Sequence, residues 1–564
     1  MIDHWFWRYA LANKGVYFQA GIATLMVNLF ALVIGFFVMV VYDRIIPSNA
    51  TTSLLGLFIG ASVIIVLRYL LELLKTYFLD YAGQSIERKT SESVFDKIMR
   101  YDLLRAPKSN GSVASLVKDF ETFQQFFTSV TLLLLIDIPF MFLFLYVIYL
   151  IGGAMVYVPL LIIPMVIFVG LVVQPFLKKM AQSSVKGGEA KQTVLLETLQ
   201  NIETVKSISG AEKLRRRWLD AVDEQAEVNV KTKFYNQIAT SFSSTALMFN
   251  QIIIVSYGVL LIGEGNLSMG GLIGCMIISG RAMAPVGQIA QVLGRLNVSM
   301  QCYSRVDKFM KVTNREEEAR AYVERSELKG PISTQNMTFR YPASQTKLFD
   351  NLSFEIKEGQ KVAILGKIGS GKSSLVRILL GLYIPDDGLV LVGGTNVSQI
   401  RPEDMRRNFG VVHQNISLFS GTIRDNIALG VDEYDDDFLV HVATVSGVMD
   451  WLGKLPNGFD YEVSEGGKEL SGGQRQTVAL ARSLMRKPNY LLFDEPTANM
   501  DTGTEQMVLS GLKEHLTDET MIIVTHRMAP LNLVDRIIVL ENGRVAIDGP
   551  RDLVIQRLQT KQSA

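Results

Sequence analysis

Six stretches in the first half of the chain are apolar over lengths that cross a bilayer, and charged segments with helical spacing separate them. A helix needs about 20 mostly apolar residues to span the hydrocarbon core. The stretches lie near 17–42, 53–78, 128–150, 154–176, 243–263 and 268–292. Arg68, Glu72 and Lys75 fall in the later half of the second stretch, so that half is expected to leave the membrane as a continued helix. The segment LLETLQNIETVKSISGAEKLRRRWLDAV has apolar residues at three- and four-residue spacing and no proline, which predicts helix. Such segments are expected to carry the span helices deep into the cytoplasm, to touch the second half of the chain.

Near residue 325 the pattern changes to short apolar runs, Gly turns and dispersed charges. The expectation is a multi-domain membrane protein. Residues 1–325 form a six-helix, all-α transmembrane domain, and residues 326–564 form an α/β domain. Loop charge sets the orientation. Segment 81–127 holds seven Lys and Arg, and segment 177–242 holds eleven. On the other side, 43–52 has only Arg44, while 151–153 and 264–267 have none. The long loops, both termini and the second domain are therefore placed in the cytoplasm.

Composition adds little beyond this. The net charge of +1 gives no field that would gather nucleic acid. Cys275 and Cys302 make neither a disulfide framework nor a zinc site, and read as small core residues. The N-terminal MIDHWFWRYALANKG lacks the cleavage pattern of a secretory signal and reads as an amphipathic lead-in at the membrane surface. Asp137 and Arg281 interrupt spans, and a lone charge in lipid needs a partner or water. They either pair with each other, line a wet pathway, or are each paired locally for packing.

The chemistry lies in the second half. Gly366-Lys367-Ile368-Gly369-Ser370-Gly371-Lys372-Ser373 matches G-x-x-x-x-G-K-[ST], between the strand-like KVAIL and the helix-like SLVRILLGL. Glycines let backbone N–H groups close around phosphate oxygens. Lys372 reaches the β- and γ-phosphates, and Ser373, followed by Ser374, offers a hydroxyl to Mg²⁺. YLLFDEP ends an apolar strand in two carboxylates: Asp494 to hold Mg²⁺, directly or through water, and Glu495 to act as general base on the attacking water. LSGGQRQ places Ser471, Gly472, Gly473 and Gln474 at a helix start, where free N–H groups face an anion.

The order Gly366–Ser373, Gln414, LSGGQ, FDEP and His526 resembles the ATP-binding cassette family over about residues 330–555. The resemblance implies two cassettes head to tail, with ATP and Mg²⁺ between the phosphate loop of one and the signature of the other. It makes Tyr341 the aromatic on adenine, and Gln414 the sensor of Mg²⁺ and the attacking water. It makes Asp501 a residue of the dimer contact and His526 the contact to the γ-phosphate. Glu462 falls at an acidic contact to the membrane half. The other four histidines read as surface or packing residues.

Six spans ahead of one cassette resemble the exporter branch, with a homodimer as the default and a heterodimer as the alternative. VYDRIIPSNA at 41–50, LLETLQNIETVKSISGAE at 195–212 and SGRAMAPVGQI at 279–289 look like exporters of type I secretion systems. That implies a bacterial inner-membrane pump for an unfolded polypeptide, working with a periplasmic adaptor and an outer-membrane channel. Many such exporters carry an N-terminal peptidase-like domain, which is not expected here. The alternative is an exporter or flippase of lipids or small amphipathic molecules. A soluble cassette ATPase is disfavoured by the spans, and a nucleotide-gated channel by the intact Glu495 and His526.

Overall fold

The computed structural model describes residues 5–6, 8–9, 14–104, 110–129, 131–312 and 322–563, with their side chains apart from those of 110, 127–136, 289–291 and 561–563. The chain divides into two compact units. One holds residues 1–100 and 107–313; the other holds 101–106 and 314–564.

The first unit is helical: α1 (Lys14–Ala31), α2 (Val33–Val40), α3 (Thr51–Arg100), α4 (Asn110–Ser129), α5 (Thr131–Gly152), α6 (Tyr157–Gln200), α7 (Ala211–Gly263) and α8 (Met269–Lys311). Among the described residues, five helical stretches are long and apolar enough to span a membrane. One of these, Asp137–Gln200, holds most of the predicted 128–150 span and all of the 154–176 span, broken by a 3₁₀ turn at Gly153–Val156. Residue 130, the side chains at the start of the 128–150 span and those near the end of the 268–292 span lie outside the described residues.

The helix α3 runs 50 residues without a break through Arg68, Glu72 and Lys75. At 1.5 Å per residue that is about 75 Å, far more than a hydrocarbon core. The segment 195–222 is helical as expected, but in three pieces. The chain leaves α6 at Asn201, makes a short helix at Ile202–Ser207, and turns through Ser209 (φ 53°) before α7. A serine in the left-handed region followed by Gly210 ends one helical path and starts another.

The packed interior of this unit includes Ile148, Met155, Ile254, Cys275 and Ile278. Large apolar side chains of α3, among them Leu55, Phe58 and Ile59, point outward, as a lipid-facing surface requires. The VYDRI stretch forms a π-helical turn at Val41–Ile45. There Asp43 accepts hydrogen bonds from Ser268 Oγ (2.6 Å) and Gly270 N (2.8 Å), and so caps the start of α8. Gly270 is required at this contact, because a Cβ would come within 2.4 Å of Met39 O.

The lead-in reading also changes. Phe6 is buried with Ile86, Phe123 and Cys302, and Trp5 Nε1 donates to Asp307 Oδ1 at 3.3 Å. These two side chains pack into protein rather than along a membrane surface. Residues 1–4, 7 and 10–13 of that segment lie outside the described residues. Cys302 is a buried, free thiol whose Sγ donates to Asp119 Oδ1 at 3.5 Å, and burial pushes it up to about 12. Arg305 lies 2.8 Å from Asp119 and 2.9 Å from Glu189, which ties α4, α6 and α8 together.

The second unit is α/β. A six-stranded sheet has the order β12-β11-β3-β10-β9-β6. Its strands are β3 (Lys361–Gly366), β6 (Phe409–Val412), β9 (Tyr490–Asp494), β10 (Thr520–Val524), β11 (Arg536–Glu541) and β12 (Arg544–Pro550). All neighbours are parallel except β11 and β12. A four-stranded antiparallel sheet, β2-β1-β4-β5, lies apart from it in pairing, with β1 (Ile332–Phe339), β2 (Phe349–Ile356), β4 (Asp387–Val392) and β5 (Thr395–Asn396).

Alternate residues of the central strands enter different cores. Leu491, Phe493, Met521 and Ile523 face one cluster; Tyr490, Leu492, Ile522 and Val524 face the other. Period-two burial on both faces is why these strands read as continuous apolar runs.

Candidate active site

In an open parallel sheet, ligands sit beyond the carboxyl ends of the strands, where loops and helix N-termini converge. Four of the predicted groups leave the sheet at that edge. Gly366–Ser374 follows β3, Gln414 follows β6, Asp494 and Glu495 close β9, and His526 follows β10. The strands are adjacent, so residues far apart in sequence become neighbours. Val524 pairs with both Ile364 and Asp494.

The loop after β3 turns through Gly369 (φ 85°) and Gly371 (φ 94°) and enters α9 (Lys372–Leu379). A Cβ on Gly371 would fall 2.6 Å from the Phe349 ring, so only glycine closes this cradle. Lys372 Nζ donates back to Gly366 O (2.8 Å) and Lys367 O (3.1 Å), lying across the loop's mouth. Ser370 Oγ is buried without a hydrogen-bond partner. Ile368 is fully exposed at the tip, and the Lys367 ammonium lies 3.8 Å from a Glu541 carboxylate oxygen. A lysine, open backbone donors and an orphaned hydroxyl form a donor set that fits phosphate.

Asp494 is 4% exposed. Burial pushes its carboxyl above the ordinary carboxylate range; a hydrogen bond from Ser373 pulls it down, and the charge of Glu495 pushes it up. Hydroxyl and carboxylate oxygens suit Mg²⁺, and Ser373 and Asp494 would hold it. A bound divalent cation would supply the charge that neutralises this carboxylate.

Glu495 is a non-glycine residue at φ 53°. Its Oε1 lies 2.9 Å from Nδ1 of the exposed His526. The two groups assigned to base and γ-phosphate contact are thus in direct contact. Gln414 lies exposed two residues past β6, and none of the hydrogen bonds among the described residues involves it. His413, read from the sequence as surface or packing, lies within electrostatic range of Asp494 and Arg377. The Tyr341 hydroxyl is 2.7 Å from Ser374 Oγ, with its ring edge-on to Phe339 and Tyr383.

The signature turn opens the next helix. Ser471 is the N-cap of α10 (Gly472–Leu484), in a reciprocal box: Gln474 N donates to Ser471 Oγ (3.2 Å), and Ser471 N donates to Gln474 Oε1 (2.8 Å). Asp501 caps α11 (Thr502–His515), accepting from Thr504 N at 3.0 Å. These hydrogen bonds of Ser471, Gln474 and Asp501 stay within their own helix ends. Gly472 and Gly473 press on Asn499: Cβ atoms there would lie 3.1 Å from Asn499 Cβ and 3.2 Å from its carbonyl oxygen, respectively. Glu462 is exposed on the two-residue strand β8 (Glu462–Val463), which pairs with β7 (Gly421–Thr422). Sequence reasoning passed over Gln476, buried two positions beyond the signature, whose partners are backbone groups and leave no motif.

In the membrane unit, Asp137 Oδ1 accepts from Asn28 Nδ2 at 3.0 Å. The charges acting on Arg281 are Arg68 and Glu72, and Lys75 lies within range of Asp137. No ion pair among the described residues joins Asp137 to Arg281, so of the readings above the direct pair is not the one adopted.

A family model described as "ABC transporter transmembrane region" matches residues 17–286, and one described as "ABC transporter" matches 349–498. Similar curated proteins include the leukotoxin translocation ATP-binding proteins LktB of Mannheimia haemolytica and Bibersteinia trehalosi. Each is 27% identical over 560 residues, covering 98% of this chain and 78% of the relative. Among solved structures, a bacterial Atm1-family ABC exporter with ATP bound superposes with a TM-score of 0.86 at 23% identity, covering 98% of both chains.

Proposed function

The chain belongs to the ATP-binding cassette transporters, as an ATP-hydrolysing exporter with a multi-pass membrane domain, and we propose that two copies of it pump an unfolded polypeptide across a bacterial inner membrane. The observation that carries the cargo class is similarity over 98% of the chain to proteins named for leukotoxin translocation. A periplasmic adaptor and an outer-membrane channel complete the route to the exterior. Both termini and the cassette face the cytoplasm, where ATP is.

Lys372 and the backbone donors of the loop hold the phosphates, and Tyr341 stacks on the adenine. Ser373, Asp494 and Gln414 would hold Mg²⁺, whose charge would offset that of the phosphates. Glu495 takes the proton of the attacking water, and His526 orients the γ-phosphate and steadies the carboxylate it touches. Ser471, Gly472, Gly473, Gln474 and Asp501 serve the ATP held by the partner copy. Each ATP then touches both cassettes and favours the closed dimer by its extra contacts there. Closure opens the membrane path outward, and hydrolysis releases it.

The test compares the secreted proteins of cells carrying Glu495→Gln with those of cells carrying the native chain. The expected result is that one large polypeptide leaves the medium and accumulates inside. An unchanged secreted set overturns polypeptide export and makes lipids or small amphipathic molecules the cargo to test.

A further inference from the structure

Glu495 occupies the left-handed backbone region (φ 53°), which is strained for a non-glycine residue, and the surrounding structure must hold it there. Hydrogen bonds act from both sides. Its N–H donates to Val524 O at 2.8 Å, which fixes it to β10. Its C=O accepts from Gln476 Nε2 at 2.7 Å. The other end of the same amide, Gln476 Oε1, accepts from Asn499 N at 2.9 Å. One partner can only accept and the other can only donate, so the orientation of the amide is settled by its surroundings.

Gln476 is 1% exposed and lies on α10, whose first turn is the signature. The turn from Glu495 to Asp501 is braced further on: Arg527 donates to Thr497 O (2.8 Å) and to Glu505 Oε1 (3.0 Å). The glycines of the signature lie against Asn499. A single buried amide therefore links three things: the signature helix, the turn that ends in Asp501, and the backbone of the residue assigned as base.

We propose that Gln476 is a positioning residue for ATP hydrolysis, holding Glu495 in its left-handed conformation and setting its carboxylate by the seating of the signature helix. The proposal rests on Glu495 being the general base. It implies that displacing α10 turns the carboxylate, without touching the loop that binds ATP.

The test is steady-state hydrolysis of MgATP by the purified full-length transporter, with thermal unfolding measured alongside. Gln476→Met removes both hydrogen bonds at similar volume. Gln476→Glu keeps the acceptor for Asn499 N but sets a carboxylate against Glu495 O. Both are expected to lower kcat by about tenfold or more while KM for ATP stays within about twofold. A kcat within about twofold of native in both variants overturns the proposal. So does a parallel loss of ATP binding and thermal stability, which would make Gln476 a residue of the fold alone. Glu495→Gln is run beside them. If it still turns over, the assignment of the base has failed, whatever Gln476 does.

Discussion

Lys372 is the side chain proposed above to hold the phosphates. Its ammonium is satisfied by Gly366 O and Lys367 O, two carbonyls of the loop that surrounds it. Phosphate offers an anionic acceptor in place of these neutral carbonyls, and hydrogen bonds to charged groups are worth about 1.5–3 kcal/mol each. Lys372→Ala is therefore expected to weaken ATP binding about 10- to 100-fold in a nucleotide titration, with little change in thermal stability. Unchanged affinity would show that the loop is not the phosphate site. Residues of this kind were legible because their chemistry is contiguous: glycines, a lysine and a hydroxyl within eight positions, directly after a strand. Gln476 was not legible. It acts on the main chain of residues 19 and 23 positions away, and only the fold supplies those partners. Asp501 lies between the two. Its sequence position suggests a dimer contact, and within the chain its carboxylate caps a helix, which holds it below the usual carboxylate range.

At the scale of elements, apolar patterning was a good guide to where helices run and a poor one to how they meet. The six apolar stretches fall on the long helices of the first unit, because spans are set by length and hydropathy alone. That Asp137 needs a partner followed from the cost of burying a charge. That the partner is Asn28, on α1, required packing between helices more than a hundred residues apart. A double-mutant cycle on thermal stability is expected to show coupling of about 0.5–1 kcal/mol between Asn28→Leu and Asp137→Ala, and additivity between Asp137→Ala and Arg281→Ala. Coupling between Asp137 and Arg281 alone would contradict this packing. Asp43 makes the same point. Its stretch resembled a family feature in sequence, and here the carboxylate caps α8 and holds Gly270 against the backbone of the first span.

At the scale of the whole molecule, the strand ends of one cassette gather the phosphate loop, Asp494, Glu495 and His526, while the signature turn directs its hydrogen bonds into its own helix. In the reading proposed above, the phosphate loop and the signature of one chain serve different ATP molecules, and a second copy supplies the other half of each site. The proposal uses only residues present on this chain, and it makes Ser471 and Lys372 act in trans. The most direct measurement is ATP turnover by a tag-purified mixed dimer of a Lys372→Ala copy and a Ser471→Arg copy, compared with the two variant homodimers. In the mixed dimer, head-to-tail pairing puts both defects in one site and leaves the other whole. The account predicts that each homodimer is inactive and that the mixed dimer regains turnover. A mixed dimer as inactive as the homodimers would contradict it.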